Sequence, residues 1–369
     1  MKVLVLWAGD TSANLGVRVL AEGMAALARQ AWGEATEVDF QDYGPGNSLI
    51  GFGGRTILRD LARGQGPIKN KLRHYDVILD SGAGDSFADI YGLKRLASMN
   101  YAHRISSKLG IPVVLGPQTV GPFNTALGRF LGKDSISRMA SVFPRDTASA
   151  EYATVLGRRA DARSTDVVFA LPQPSATVRR DVLVNVSGLL WRGDSHIRSE
   201  KYREQVHSLV EGLLSTGRQV SLLAHVLDNP TQDNDVPPVL EVAGKYGRDV
   251  TVLIPKDLSE ARSMISSSEI VIGSRMHACL NALSTGVPAI PWAYSRKFAP
   301  LMKDLGWTAG FDLRSEELPA QGTLDFLAET DPGVLRLAAH KVRAEAELRL
   351  SETALVMSSL SVTTESAQC

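Results

Sequence analysis

The chain has 369 residues, 44% hydrophobic and 22% charged, with Lys plus Arg balancing Asp plus Glu at 40 each. That length exceeds one comfortable hydrophobic core and predicts two domains of roughly 170 residues. A formal net charge of zero argues against a whole-surface field for nucleic acid or anionic membrane and leaves only a local basic cleft open.

Short apolar runs alternate with helical patterns from the start. VLVLWAG (3–9) reads as a strand buried on both faces, with NLGVRVLAEGMAALARQ as the helix after it. Further strands are expected at 36–40, 77–84, 112–118 and 141–146, the last followed by a helix over 148–157 that ends at a glycine. The polar, Pro-containing stretch 172–181 is the candidate linker. The alternation then restarts, with strands at 181–190, 219–226, 249–254, 269–273 and 287–292. Helices fit at 199–216, 236–247, 258–266, 275–285 and 296–305, and one long amphipathic helix, 333–360, precedes a frayed tail. This pattern predicts an α/β protein of two facing Rossmann-like domains with parallel sheets, 1–175 and 181–332, followed by a C-terminal helix and tail at 333–369. A ligand is then expected in a crevice outside the strand ends. Cys279 and Cys369 are too few and too badly placed for a disulfide framework or a metal site. The opening MKVLVLWAGD is too short an apolar run for a signal sequence or membrane span, so a cytoplasmic protein with reduced thiols is expected.

The stretch VIGSRMHACLNALSTGVPAI (271–290) stands out. Ser274 is placed to cap the helix that follows strand 269–273, and free first-turn amides with the helix dipole make an anion site. Arg275 adds a planar fork suited to carboxylate or phosphate, and His277 can exchange a proton near neutral pH. The next strand–helix turn carries Tyr294, Ser295, Arg296 and Lys297, a second loop suited to anions, where Lys297 either completes the site or caps its helix. An isolated capped helix with an exposed Arg and a structural His is the bland alternative; two such loops on one sheet edge weigh against it.

The segment GSRMHACLNALSTGVPAIPWAYSRKFAPLMKDLGW resembles the signature region of the polysaccharide pyruvyl transferase family, matching at Arg275, His277, Gly286, Pro288, Tyr294 and Lys297. Similar segments occur in the same order at GDTSANLGVRVL (through Asn14 and Gly16), LDSGAGDSFADIYG, GPQTVGPF, FPRDTASAEY, LVNVSGLLW and LLAHVLDN…DND. The glycine-rich turn departs from the family's commoner three glycines by reading SGAGD, and Asp10 stands well before Asn14. The resemblance implies a glycosyltransferase-B-like fold. It also implies transfer of an enolpyruvyl unit from phosphoenolpyruvate to two hydroxyls of a sugar, giving a cyclic ketal and phosphate.

The residue chemistry agrees. Phosphoenolpyruvate carries a phosphate and a carboxylate, so it needs at least two cationic or helix-end subsites, and protonating its methylene carbon needs a general acid. His277 is the candidate acid. Arg275, Ser274, Arg145 and Lys297 are the candidate donor ligands, with Arg192 the rival to Arg145 as second arginine. Asp85 and Asn14 are candidates for the acceptor side, with Asp89 beside Asp85. His225 with Asp233 and Asp235 matches no standard metal spacing, so no metal and no cofactor beyond the co-substrate are expected. The expected partners are phosphoenolpyruvate and a saccharide acceptor, free or lipid-linked, with no nucleic acid and no transmembrane segment. The protein is then either free in the cytoplasm or peripheral at the inner face of the membrane. A nucleotide-sugar glycosyltransferase or sugar-nucleotide epimerase of the same architecture is the rival enzyme, and a scaffold in glycan assembly the non-enzymatic one.

Overall fold

The computed structural model describes residues 1–44, 50–175 and 178–360. Part of the 172–181 linker, the tail after residue 360 and Cys369 lie outside the described residues.

The described chain forms two compact units, each built on its own parallel sheet. In the first unit, β1 (Lys2–Leu6), β2 (Glu37–Gln41), β3 (Val77–Asp80), β4 (Val113–Gln118) and β5 (Ser141–Pro144) run in the order β2-β1-β3-β4-β5. Strands β3, β4 and the edge strand β5 are buried at every residue, as uninterrupted apolar runs require when helices cover both sheet faces. The chain lays β2 on one side of β1 and β3 on the other, so its direction of winding reverses between β1 and β3. Parallel sheets of this type bind ligands outside the carboxyl ends of the strands at such a reversal.

In the second unit, β6 (Arg180–Asn185), β7 (Val220–Leu223), β8 (Val250–Leu253), β9 (Ser268–Gly273), β10 (Ala289–Ala293) and β11 (Phe311–Asp312) run in the order β11-β10-β9-β6-β7-β8. Here the reversal falls between β6 and β9. The helices α1 (Met276–Ser284) and α2 (Phe298–Asp304) follow β9 and β10.

Several expectations need correction. The run 181–190 is not one strand: it ends at Asn185, and Gly188–Arg192 is a short helix. The turn forms because the Ser187 amide donates to the Tyr202 hydroxyl at 3.0 Å and the Gly188 amide to Asp235 at 2.7 Å. Residues 77–84 likewise split into β3 and a 3-10 turn, Gly82–Gly84. The domain limits also differ from simple consecutive blocks. Residues 12–19 belong with the second unit, because Leu15 N–H donates to His225 O and Leu227 N–H to Ala13 O. The long C-terminal helix, Pro332–Ser358, divides its contacts, the chain from Ala346 onward belonging to the first unit, where Thr353 meets Ser164 and Ser351 meets Gln30.

Gly82 has φ +53°, and a Cβ there would lie 1.2 Å from Gln118 Oε1. Gln118 in turn donates to Asp80 Oδ1 at 3.1 Å. Gly82→Ala is therefore expected to lower the unfolding free energy by about 1–3 kcal/mol, from left-handed backbone strain and displacement of the glutamine. Urea unfolding with an unchanged midpoint would refute that reading.

Candidate functional site

The β6/β9 reversal brings three loops together, and Asp235 is their common acceptor. Its carboxylate is fully buried. It accepts the amides of Gly188 (2.7 Å), His225 (3.1 Å) and Val226 (2.9 Å), and Nη2 of Arg275 at 2.6 Å. Arg275 is itself only 7% exposed. Its second fork arm, Nη1, lies 2.6 Å from Asp233 Oδ1, while Nη2 also donates to the Asp233 carbonyl at 2.6 Å. Burial alone would weaken the guanidinium's hold on its proton, but the charges of Asp235 and then Asp233 more than offset this and move its pKa upward. The two carboxylates singled out in the sequence as a pseudo-metal cluster thus serve an arginine. Among the described residues no group of His, Cys, Asp and Glu is arranged to hold a metal ion.

The start of α1 is held by tertiary contacts rather than by the expected serine cap. The cap position falls on Arg275, without a side-chain cap bond. The Arg275 amide instead donates to Asn185 Oδ1 at the end of β6, at 2.9 Å. Ser274 is buried, its hydroxyl 2.8 Å from the Tyr202 hydroxyl. Its position one residue too early is the reason it cannot cap. What reaches the helix mouth as a partly exposed group is His277, one residue into the helix.

Gly16 closes on His277: a Cβ at residue 16 would come within 2.8 Å of the imidazole Nδ1. Asn14 Oδ1 accepts the Gly16 amide at 2.9 Å, so the carboxamide of Asn14 shapes this approach. Asn281 donates to the His277 carbonyl at 2.7 Å and reaches His225 Nε2 at 3.3 Å. His225 is buried, and desolvation together with the nearby charges of His277 and Arg275 pushes its pKa down to about 3. It is therefore neutral, a polar neighbour rather than a second acid.

The other sequence candidates separate. Lys297, partly exposed at the start of α2, lies near enough to His196 that its charge adds to burial in lowering that imidazole's pKa. Arg192, exposed, ends the short helix Gly188–Arg192 at the same reversal as Arg275. Arg145 belongs to the first unit and is 1% exposed, its Nη1 3.0 Å from Asp166. Asp166 takes one arm of that fork, and Nε and Nη2 of Arg145 are buried without a hydrogen-bond partner. Asp89 is spent on the amides of Asn124 and Thr125 at 2.9 and 2.7 Å, whereas Asp85 is partly exposed and accepts from the Tyr91 hydroxyl at 2.7 Å.

Two measurements test this arrangement. Asp235→Ala leaves Arg275 buried beside one partner and should cost about 3–5 kcal/mol of stability by denaturant unfolding. A loss below about 1 kcal/mol, the worth of an exposed pair, would deny it the central position. Because the folded pKa of His225 lies below its unfolded value, the unfolded chain takes up the proton more readily. Its stability contribution is full above about pH 6.5 and is lost as pH falls toward 3. His225→Asn should flatten the acid-side slope by up to about 1.4 kcal/mol per pH unit; an unchanged slope would mean the imidazole is not buried neutral.

The polysaccharide pyruvyl transferase family model matches residues 14–296. The amylovoran biosynthesis protein AmsJ of Erwinia amylovora is 22% identical over 261 residues, 64% of this chain and 61% of its own length. The chain thus spans about three fifths of that relative. Solved structures with the same fold include the UDP-GlcNAc 2-epimerase of Neisseria meningitidis bound to UDP-GlcNAc, at TM-score 0.59 and 12% identity over 97% of this chain and 99% of that one. They also include Anabaena Alr3699/HepE in complex with UDP and glucose, at 0.55 and 15% over 98% and 100%. Acinetobacter baumannii MurG follows at 0.55 and 12% over 97% and 99%. These likenesses establish a glycosyltransferase-B-like fold, and the family match, covering most of the chain and both Arg275 and His277, establishes that the protein belongs to the polysaccharide pyruvyl transferase family.

Proposed function

We propose that the protein transfers pyruvyl from phosphoenolpyruvate to two hydroxyls of a glycan or glycolipid sugar, forming a cyclic ketal. The observation that carries this reading is Arg275 and His277 at one helix mouth on the β6/β9 reversal, the first held by the buried Asp235 and the partly exposed Asp233 and the second partly exposed. His277 gives a proton to the methylene carbon of phosphoenolpyruvate, leaving a cationic centre at C2. One sugar hydroxyl adds there and its proton restores His277. The C2–O bond to phosphate then breaks, and the second hydroxyl adds to C2, its proton leaving with the phosphate. Atoms and charge balance without an oxidant, reductant or metal.

The donor's two anionic groups need cations. Arg275 supplies one: of its two carboxylate partners only Asp233 reaches solvent, with 35% of its side chain exposed, and the donor's carboxylate takes that place. Arg192 and Lys297 serve the phosphate. Ser274 holds the helix entrance through Tyr202 rather than touching the donor. No helix among the described residues is long and apolar enough to cross a membrane, which is compatible with a free or a lipid-linked acceptor.

The test compares wild type with His277→Asn and Arg275→Lys. Phosphoenolpyruvate should raise the melting temperature of wild type and His277→Asn, while UDP-glucose should not. Arg275→Lys loses the fork and should weaken that shift. Phosphate release with a competent acceptor should fall about 10²-fold or more in His277→Asn. Near-normal turnover in a folded His277→Asn protein, or a shift with UDP-glucose alone, would overturn the proposal.

A further inference from the structure

Three helices of the first unit share one face of its sheet. Gly54–Ala62 lies in the crossover from β2 to β3, Leu93–Lys108 in that from β3 to β4, and Ala126–Ile136 in that from β4 to β5. All three crossovers move the same way across the order β2-β1-β3-β4-β5. Parallel crossovers are right-handed, so their helices cover the same side. Side-chain hydrogen bonds join them there. Tyr101 of the middle helix donates its hydroxyl to Asp60, and the adjacent Asn100 donates to Leu131 O at 3.2 Å and Asp134 Oδ2 at 2.8 Å.

The outer side of this layer is apolar and basic at once. Leu58 and Leu61, about one helical turn apart, are 68% and 62% exposed, and Leu127 and Phe130 repeat the spacing at 52% and 62%. Arg55 and Arg59 are exposed on the first of these helices, and Arg129 and Lys133 on the third. On the middle helix Lys94, Ala97, Arg104 and Lys108 recur in one stripe, all of them reached by solvent. Together the three helices hold eight Lys and Arg against two Asp, in a chain whose totals balance at 40 each. Those two aspartates are already engaged. Asp60 is fully buried on the Tyr101 hydroxyl and the Ile68 amide, and Asp134 pairs with Arg138 at 2.6 Å and stands 3.9 Å from Arg104.

Exposed leucine and phenylalanine among long cationic arms suit a boundary where an apolar phase meets an anionic one. The surface of a bilayer with anionic headgroups is such a boundary. Helices lying in its plane put apolar side chains at the acyl edge while Lys and Arg reach the phosphates. Nucleic acid would answer the cations through its phosphates but set four apolar side chains against charge. A second copy of the same face would place like charge against like. Among the described residues no helix is long and apolar enough to cross a membrane, so the contact is with the surface alone.

We propose that the layer formed by Gly54–Ala62, Leu93–Lys108 and Ala126–Ile136 docks on an anionic lipid bilayer, with Leu58, Leu61, Leu127 and Phe130 at headgroup depth. The docking does not depend on the pyruvyl-transfer reading.

The test floats the full-length protein with vesicles of phosphatidylcholine alone and of an equimolar mixture with phosphatidylglycerol. At about 0.1 M salt, where charges reach about 10 Å, the protein should rise with the mixed vesicles and not with the neutral ones. Raising the salt to about 1 M shortens that reach to about 3 Å and should release most of it. Each cation near an anionic surface contributes about fivefold in affinity, so Arg55→Gln combined with Arg59→Gln should weaken binding about tenfold or more. Leu58→Ser combined with Leu61→Ser should weaken it by a similar factor, about tenfold. All four side chains are exposed, so both double variants should keep the wild-type melting temperature. Failure to rise with the mixed vesicles, or unchanged binding by the folded leucine variant, overturns the proposal. Tighter binding to duplex DNA than to those vesicles, indifferent to the leucine substitutions, would give the face to nucleic acid and overturn it as well.

Discussion

The second unit depends on one buried ion pair, Arg275 with Asp235. Removing two charges from water costs several kcal/mol per ion, repaid only when geometry is good and the remaining lone pairs are filled. Both conditions hold. Three backbone amides from two loops complete the carboxylate, and a second aspartate with its own carbonyl completes the guanidinium. The pair therefore fixes the loops after β6, β7 and β9 against one another, and the place of His277 follows from that. Of the two carboxylates on this arginine, only Asp233 lies at an exposed edge, with 35% of its side chain reached by solvent, while Asp235 is fully enclosed.

The two units solve the same problem with different chemistry. In each, the sheet's winding reverses once, and the strand ends flanking that reversal are tied by a fully buried aspartate, Asp80 in the first and Asp235 in the second. Asp80 gathers the Trp7 indole, the Gly82 amide, the Gln118 carboxamide and the His103 imidazole. Asp235 gathers backbone amides and a guanidinium and fixes the helix start that carries His277. Burial, rather than residue type, separates the two imidazoles: His225 is enclosed and held neutral, while His277 is partly exposed.

Much of this was legible in the sequence. Uninterrupted apolar runs such as VILD and EIVIG mark central parallel strands because both faces are covered, and the Arg-x-His pair was found where the structure has its helix mouth. The helix Leu93–Lys108 was not delimited, because its buried positions include Asn100, His103 and Ser106, which blur an apolar stripe. Ser274 looked like a cap because caps are read locally, whereas this helix start is satisfied by Asn185, 90 residues away. The aspartates of DND were noticed for their spacing, yet their partner Arg275 lies about 40 residues further on, and no periodicity carries that distance. The partner of Arg145, Asp166, lies 21 residues on and was beyond the same local reach.

The amides that Asp235 and Asn185 capture belong to loops, which ordinarily exchange their hydrogens with solvent long before the strands do. Here the amides of Gly188, His225, Val226 and Arg275 have side-chain acceptors that are themselves buried. None can meet deuterium until the carboxylate or carboxamide lets go, and release of Asp235 leaves a buried charge short of partners, which loosens the rest. The four should exchange as a single slow class with β6 and β9, so that the most rigid part of this unit includes the turns after β6, β7 and β9.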